Sequence, residues 1–162
     1  MVNDEIITVM ILEALLTKQL SILTDHVHRA HNGLEAYDKA TCGNFDLIIM
    51  DLNMPIMDGF RSTRKIKEYF ESSNMFINED INNLRTPPYI VALSASAIDH
   101  DLVQKCKEYK FDDWFSSPLD FNILKVKVID VILVKKNIHL YGTMEIDEEA
   151  LIQEGKALLD PV

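Results

Sequence analysis

Segments with helically spaced apolar residues alternate along this chain with short, continuous apolar runs. The first segment, from about residue 5 to residue 20, carries apolar residues at helical spacing: Ile7, Ile11, Leu12, Leu15 and Leu16. Residues 47–50 then form an unbroken apolar run of the kind that a strand buried on both faces requires. The alternation of the two patterns predicts an α/β domain built on a parallel sheet.

The same patterns predict the remaining elements of the domain. They are a short strand over residues 27–31 that ends at Asn32-Gly33, a helix to about Cys42, a helix over about 60–70, a strand over 89–94, a helix over 98–109, a short strand over 113–116, and a last helix whose apolar face carries Phe121, Leu124, Val128, Val131 and Ile132. The Asn- and Ser-rich residues 71–88 are expected to form a loop or an insertion.

The end of the chain is acidic. Asp147 is followed by two glutamates and by apolar residues at positions 151, 152 and 158, which predicts a capped helix suited to binding a partner. A tail that only solubilises the chain is the alternative. We therefore expect a domain over residues 1–136 and an acidic, partly helical tail over residues 137–162.

The composition limits the class of protein. With 162 residues, 48% of them hydrophobic, the chain suffices for one core and a tail. Its net charge of -10 argues against nucleic-acid binding, since that affinity depends on Lys and Arg. No apolar run reaches the roughly 20 residues of a membrane span, and the start lacks a signal-peptide pattern. We expect a soluble intracellular protein, in the cytoplasm or within a large assembly.

Cys42 and Cys106 are isolated, which favours two buried thiols over a disulfide or a metal site.

Asp51 ends the apolar run and enters a turn. Met54-Pro55 breaks the regular structure after it, and Asp58-Gly59 is suited to cap a helix that begins near Phe60. The order is therefore strand, acid, short loop and helix. Because parallel α/β sheets bind ligands at the carboxyl ends of their strands, Asp51 is the first candidate for a functional residue.

The segment Asp51-Leu-Asn-Met-Pro-Ile-Met-Asp-Gly59 resembles the phosphoacceptor loop of response-regulator receiver domains, the domains of two-component phosphorelays that accept a phosphoryl group on an aspartate. Three further stretches, at residues 2–5, 90–97 and 111–119, match the family in the same order, so the resemblance covers residues 2–134. It implies a flavodoxin-like, doubly wound parallel sheet, with the C-terminal helical tail outside it.

The resemblance implies a role for each matching residue. Asp51 is the candidate phosphoacceptor. Asp4, Asp51 and the backbone carbonyl of Asn53 are the candidate ligands of Mg²⁺, which would neutralise the approach of an anionic phosphoryl donor. Ser94 matches the hydroxyl that hydrogen-bonds the phosphoryl oxygens, and Trp114 matches the aromatic residue whose rotation reports the switch.

The sequence departs from the family at two positions of the site. Ser117 replaces the lysine whose ammonium pairs with the phosphoryl group, and a hydroxyl cannot supply that charge. Asn3 replaces the first member of the acidic pair, which leaves Asp4 as the clear carboxylate there. A register shift that brings Glu5 into the pair is the alternative, and the spacing of the following helix disfavours it. We expect weak Mg²⁺ binding at most, and slow self-phosphorylation of Asp51 or none.

The first strand of the resembling fold is almost absent, because the chain starts where that strand should be ending. In the strand order 2-1-3-4-5 this strand is central, and each buried backbone group without a partner costs about 1–3 kcal/mol. Three repairs are open: a strand from another chain, the segment around residues 138–141, or direct pairing of the flanking strands. A start that omits upstream residues is a fourth explanation.

Two functions are compatible with these residues. The first is a degenerate receiver, or pseudo-receiver, that serves as a protein-interaction or structural subunit of a larger assembly and docks through a sheet edge, its last two helices or its tail. The second is an active phosphorelay receiver that takes a phosphoryl group on Asp51 from a phosphohistidine of a histidine kinase or phosphotransfer protein. The missing lysine and strand favour the first. The intact Asp51 loop with Ser94 favours the second.

Overall fold

The computed structural model describes residues 1–19, 22, 24–75, 86–117 and 119–141. Residues Met1–Phe121 form one compact unit, and a second unit begins at Asn122. Of the predicted tail over residues 137–162, residues 142–162 lie outside the described part, so the division of the chain at residue 136 stays a prediction.

Helices and strands alternate, as the apolar pattern predicts. The described elements are α1 (Ile6–Ala14), continued by a π-helical turn (Leu15–Gln19), a 3₁₀ turn (Thr24–His26), α2 (Gly33–Cys42), β1 (Leu47–Asp51), α3 (Gly59–Met75), β2 (Tyr89–Ser94), α4 (His100–Glu108), β3 (Asp113–Ser116) and α5 (Phe121–Tyr141). The strands form a parallel sheet in the order β1-β2-β3. The predicted parallel α/β architecture is confirmed.

Two predicted boundaries are wrong. Helix α3 continues to Met75, so residues 71–75 of the predicted loop are helical, while residues 76–85 lie outside the described part. The predicted strand over residues 27–31 is reduced to a single bridge at Ala30. Its parallel neighbour on this side is only the short segment Met1–Asn3, which is too short for a longer ladder.

Both faces of the sheet are buried. Even-numbered strand residues pack with α2, α3 and α4 in one cluster, which contains Ala36, Ala40, Ile48, Met50, Ile66, Phe70, Ile90, Ala92, Cys106 and Phe111 among others. The odd-numbered residues Ile49, Val91 and Leu93 are buried on the opposite face. Burial on both sides explains why β1 reads as a continuous apolar run rather than an alternating one.

Helix α1 is apolar around most of its circumference, and the prediction of its buried face is partly wrong. Val9 and Leu12 are buried, and so is Leu16 one turn beyond. Ile7 and Ile11, predicted on the core side, are 73% and 56% exposed. Since one helix buries a stripe of only about 100°, an apolar surface remains outside. We call this surface, made of Ile6, Ile7, Met10 and Ile11, the α1 apolar face.

The last helix follows its predicted spacing. In α5 the buried residues Leu124, Val128 and Val131 are separated by four and three positions, and the side chain of Ile132 lies outside the described part. The described helices include none that is long and apolar enough to cross a membrane.

The two cysteines are free and differ in their surroundings. Cys106 is buried in the core, and this burial raises the pKa of its thiol. Cys42 is exposed at the last position of α2, so the prediction of a second buried thiol is wrong.

Residues 1–3 lie in the central position of the sheet. Val2 forms parallel bridges to Ala30 on one side and to Met50 on the other. Its N–H donates to the Ile49 carbonyl at 2.8 Å, and its carbonyl accepts from the Asp51 N–H at 2.9 Å. The flanking strands are therefore separated by this segment, which contradicts the alternative of their direct pairing. The repair by residues 138–141 is also wrong, because those residues are helical in α5.

Gly59, the first residue of α3, is tightly enclosed. A Cβ built there would overlap the backbone oxygen of Asp51 and lie 3.1 Å from the Cα of Leu52. The preceding residue caps the helix, since Asp58 Oδ1 accepts from the Arg61 N–H at 2.8 Å. The absence of a side chain at Gly59 thus fixes the distance between α3 and the end of β1.

We predict that Gly59→Ala lowers the free energy of unfolding by about 2–3 kcal/mol, because the added methyl group meets backbone atoms that cannot rotate away. Urea unfolding of the purified protein measures this change. Gly43→Ala is the matched control, since its nearest neighbour is the ring of the Phe45 side chain, which can move. Equal losses in the two variants would contradict the prediction.

Candidate functional site

The candidate residues lie along one edge of the sheet. Asp51 ends β1 and Ser94 ends β2, while Ser117 follows β3 directly. The Ser117 N–H donates to the Ser94 carbonyl at 2.7 Å, which joins the last two positions. This is the carboxyl edge of the parallel strands, where the sequence places the site.

The Asp51 carboxylate is half-buried and accepts a hydrogen bond on each oxygen. Asn3 Nδ2 donates to Oδ2 at 2.8 Å, and the Asn53 N–H donates to Oδ1 at 3.0 Å. The first donor comes from the start of the chain and the second from the loop after β1. Asp51 is therefore held from two separate segments.

The electrostatic surroundings of Asp51 oppose its ionisation. Burial raises the pKa of the carboxyl above its usual value, and the nearby charges of Asp4 and Glu5 raise it further. The backbone N–H groups of Asn53 and Leu52 act in the opposite direction by donating to the carboxylate. The net result is a raised pKa, so the neutral donors compensate only part of the burial and the repulsion.

The predicted magnesium ligands, Asp4, Asp51 and the Asn53 carbonyl, fit an ion only in part, and their role stays a prediction. Asp4 and Asn53 are exposed and offer the oxygen ligands that Mg²⁺ prefers. However, the position of a second acid holds Asn3, whose NH₂ group points at Asp51. Within the described ranges, no group of three His, Cys, Asp or Glu side chains could hold a metal ion. An ion at Asp51 Oδ2 would have to displace the Asn3 amide.

The hydrogen bonds described for Asp51 do not include one with Ser94 or Trp114. The buried Ser94 hydroxyl donates to the Ser96 carbonyl at 3.2 Å and accepts from the Ser96 N–H at 3.1 Å, so it shapes the loop after β2. Trp114 pairs with Ala92 in the register and packs, partly buried, against the core. The Lys107 ammonium lies 5.9 Å from its ring centroid.

Ser117 is exposed, and its position brings no cation to the site. The structure thus brings Asn3, Asp51 and Asn53 into direct contact, and leaves Ser94, Trp114 and Ser117 outside that contact. The roles assigned to these residues from the resemblance stay predictions.

Two features of the site were not predicted. The first is the hydrogen bond from Asn3, which the sequence shows only as a lost acid, although an amide has the shape of a carboxylate. The second is Ile56 in the loop after Asp51, which is 76% exposed and has a φ of 68°. The Met57 N–H donates to the Pro55 carbonyl across it at 2.7 Å, the pattern of a strained γ-turn.

We predict that Asp51 titrates above the usual range of aspartate in metal-free buffer. Because the folded chain holds this proton more tightly than the unfolded chain, ionisation of Asp51 lowers the free energy of unfolding as the pH rises from about 4 through the folded pKa. Asp4→Asn should lower the Asp51 pKa by removing a repelling charge. NMR titration of the Asp51 carboxyl carbon measures both values. Asp38→Asn, an exposed change on α2, serves as control, and an unchanged Asp51 pKa in Asp4→Asn would contradict the assignment.

Curated relatives of this chain are signalling proteins. It is 37% identical over 100 residues to hybrid signal transduction histidine kinase B of Dictyostelium discoideum, an alignment that covers 62% of this chain and 5% of the kinase. It is 30% identical over 145 residues to the oxidative stress response two-component system protein SSK1 of Candida albicans, covering 80% of this chain and 21% of that protein. The chain thus spans only a small part of these relatives.

Solved structures of similar fold include the chemotaxis protein CheY4 of Vibrio cholerae, with a TM-score of 0.61 and 25% identity over 80% of this chain and 93% of that one. The receiver domain of Ssk1 of Saccharomyces cerevisiae, solved with the histidine phosphotransfer protein Ypd1, gives a TM-score of 0.66 at 24% identity and covers 80% of this chain and 83% of that one.

A receiver domain of the sensor histidine kinase PA1611 from Pseudomonas aeruginosa, solved with a magnesium ion in its active-site cleft, gives a TM-score of 0.60 at 24% identity, over 81% of this chain and 93% of that one. These likenesses agree with the flavodoxin-like fold. The family model of the response regulator receiver domain matches residues 1–129. The parallel sheet, the Asp51 loop and the family model agree with one another. The chain belongs to the response regulator receiver domain family.

Proposed function

We propose that this receiver domain acts by docking to a protein partner and not by accepting a phosphoryl group. The observation that carries this proposal is the charge around Asp51. In the described part of the chain, the side-chain charges that shift its pKa are those of Asp4 and Glu5, and both are negative. The family's lysine position holds the neutral Ser117.

Phosphoryl transfer depends on positive charge at the reacting centre. A phosphoryl donor is anionic, and the transferring group needs cations or oriented donors to offset its charge. At Asp51 a donor would meet three carboxylates, with the Asn3 amide bound to one oxygen of the acceptor. This electrostatic barrier supports a degenerate receiver, or pseudo-receiver.

The α1 apolar face supports a docking role. Its four side chains are between 56% and 73% exposed, and they follow directly after the segment that contacts Asp51. A contiguous exposed apolar surface of this kind is typical of protein interaction sites. We therefore place the docking surface on α1, in addition to the sheet edge, last helices and tail suggested by the sequence.

The proposed partner is a histidine phosphotransfer protein. This choice is motivated by the solved complex of Ypd1 with the receiver domain of Ssk1, which is similar in fold to this chain. We place the protein inside the cell, as the two free cysteines favour.

An active phosphorelay receiver is the second candidate function. It is favoured by Asp51 itself, which stands at the end of β1 in a half-exposed position with its loop held by Gly59 and Asn53. Weak Mg²⁺ binding at Asp4, Asp51 and the Asn53 carbonyl belongs to this candidate.

We predict that the folded wild-type protein gains no phosphoryl group when it is incubated with Mg²⁺ and a small-molecule phosphodonor, as measured by intact mass. The double variant Asn3→Asp, Ser117→Lys should gain one group, because it supplies both the acid and the ammonium that the site lacks. The same double variant carrying Asp51→Asn is the control and should gain none. Addition to the wild type that disappears in Asp51→Asn would establish the second candidate instead.

We predict that Ypd1 binds the wild-type protein and that Ile7→Glu or Met10→Glu weakens this binding roughly tenfold or more, the scale of a hot-spot loss. Isothermal titration calorimetry measures the affinities. Leu34→Glu is the matched control, since Leu34 is an exposed apolar residue on α2 and not on α1. Equal weakening by all three variants would contradict the α1 surface, and no binding by the wild type would contradict this class of partner.

A further inference from the structure

Asn3 is a buried polar residue, and both the oxygen and the nitrogen of its side-chain amide are hydrogen-bonded. Only 5% of its surface is exposed, and its backbone N–H donates to the Ala30 carbonyl at 3.1 Å. Its side-chain Oδ1 accepts from the Glu5 N–H at 2.7 Å, at the residue before α1. Its Nδ2 donates to Asp51 Oδ2 at 2.8 Å.

The orientation of this amide is determined by its partners. A backbone N–H can only donate, so the atom facing Glu5 must be the amide oxygen. The NH₂ group then necessarily faces Asp51, where a carboxylate offers an acceptor. Exchange of the two atoms would set donor against donor at Glu5 and acceptor against acceptor at Asp51. The contact is therefore a directed hydrogen bond to a charged acceptor, which is among the stronger kinds.

An aspartate at position 3 would have the same shape and the opposite effect. Its first oxygen would still accept from the Glu5 N–H, but its second would lie against Asp51 Oδ2, both of them acceptors. Two carboxylates in such contact repel unless one is protonated or a cation lies between them. The choice of an amide or an acid at this position thus decides whether Asp51 is held by a hydrogen bond or requires an ion.

We propose that Asn3 is a positioning residue that takes the place of a bound cation and holds the Asp51 carboxylate without metal. This inference rests on the docking function proposed above and specifies how the site remains ordered in a domain that does not transfer phosphoryl groups. The amide completes the site within the chain, so the start of α1 and the Asp51 loop stay joined whatever the magnesium concentration.

The chain allows the two partners to be exchanged as a test. In the swap variant Asn3→Asp, Asp51→Asn, the amide introduced at position 51 can accept from the Asn53 N–H and donate to the carboxylate introduced at position 3. That carboxylate can still accept from the Glu5 N–H. All three hydrogen bonds are therefore retained, and only the one between positions 3 and 51 has its donor and acceptor exchanged. Thermal unfolding of four proteins, the wild type, both single variants and the swap variant, in EDTA and in millimolar Mg²⁺, gives a double-mutant cycle.

We expect Asn3→Asp to melt roughly 5 °C below the wild type in EDTA, and the swap variant to recover most of that loss. Mg²⁺ should raise the melting temperature of Asn3→Asp, since the ion binds the folded state between the carboxylates of positions 3 and 51. It should leave the wild type and the swap variant unchanged, since each has only one of these two carboxylates. Asn53→Asp adds the same charge to the loop but keeps the Asn3 amide, so it should gain no stability from Mg²⁺.

Three results would overturn the proposal: an Asn3→Asp variant as stable as the wild type in EDTA, a swap variant no more stable than Asn3→Asp, or equal stabilisation of Asn53→Asp and Asn3→Asp by Mg²⁺. If Asn3→Asp does not fold in EDTA, folding of the swap variant still supports the hydrogen bond and its failure overturns it. The docking function is tested separately by intact mass and by Ypd1 binding, so the failure of one proposal can be distinguished from the failure of the other.

Discussion

The parallel pairing of residues 1–3 with two neighbouring segments is the constraint on which the site depends. Val2 is in register with Met50, so the next residue, Asn3, stands beside Asp51. Neighbours in register on parallel strands direct their side chains to the same face, and this brings the amide and the carboxylate within 2.8 Å. A slip of one residue would move Asn3 away from the acid and turn its side chain to the other face.

The same segment determines where α1 begins. Asn3 accepts from the Glu5 N–H, so the amide that holds Asp51 also satisfies a backbone group at the start of the helix. The helix then buries Val9 and Leu12 and leaves the α1 apolar face outside. The acid and the apolar surface are therefore linked through one side chain, and a change at Asn3 acts on both.

The sequence predicts the fold best where burial leaves a simple pattern. β1 was recognisable because both of its faces are buried. The Asp51 loop was recognisable because Pro55, the helix cap Asp58 and Gly59 each have a local structural role. The face of α1 was assigned wrongly because apolar residues surround that helix, so spacing alone cannot tell Ile11 from Leu12. The end of α3 was missed because Glu71, Ser72 and Ser73 are polar and continue no apolar period. The Asn3 contact depends on a register between distant segments, which no local pattern shows.

The replacements at positions 3 and 117 both put a neutral side chain where the family has a charged one. An ammonium or a metal ion brings positive charge to the oxygens of an acid, whereas a neutral N–H donor satisfies a lone pair without adding charge. Asp51 has such donors on both oxygens, and the negative Asp4 and Glu5 nearby. Neutral donors satisfy a half-buried carboxylate without adding charge, which preserves the shape of the site. They do not lower the barrier for an anionic donor. Under the proposed docking function, such a site keeps the surface of a receiver and gives up the electrostatics of phosphoryl transfer.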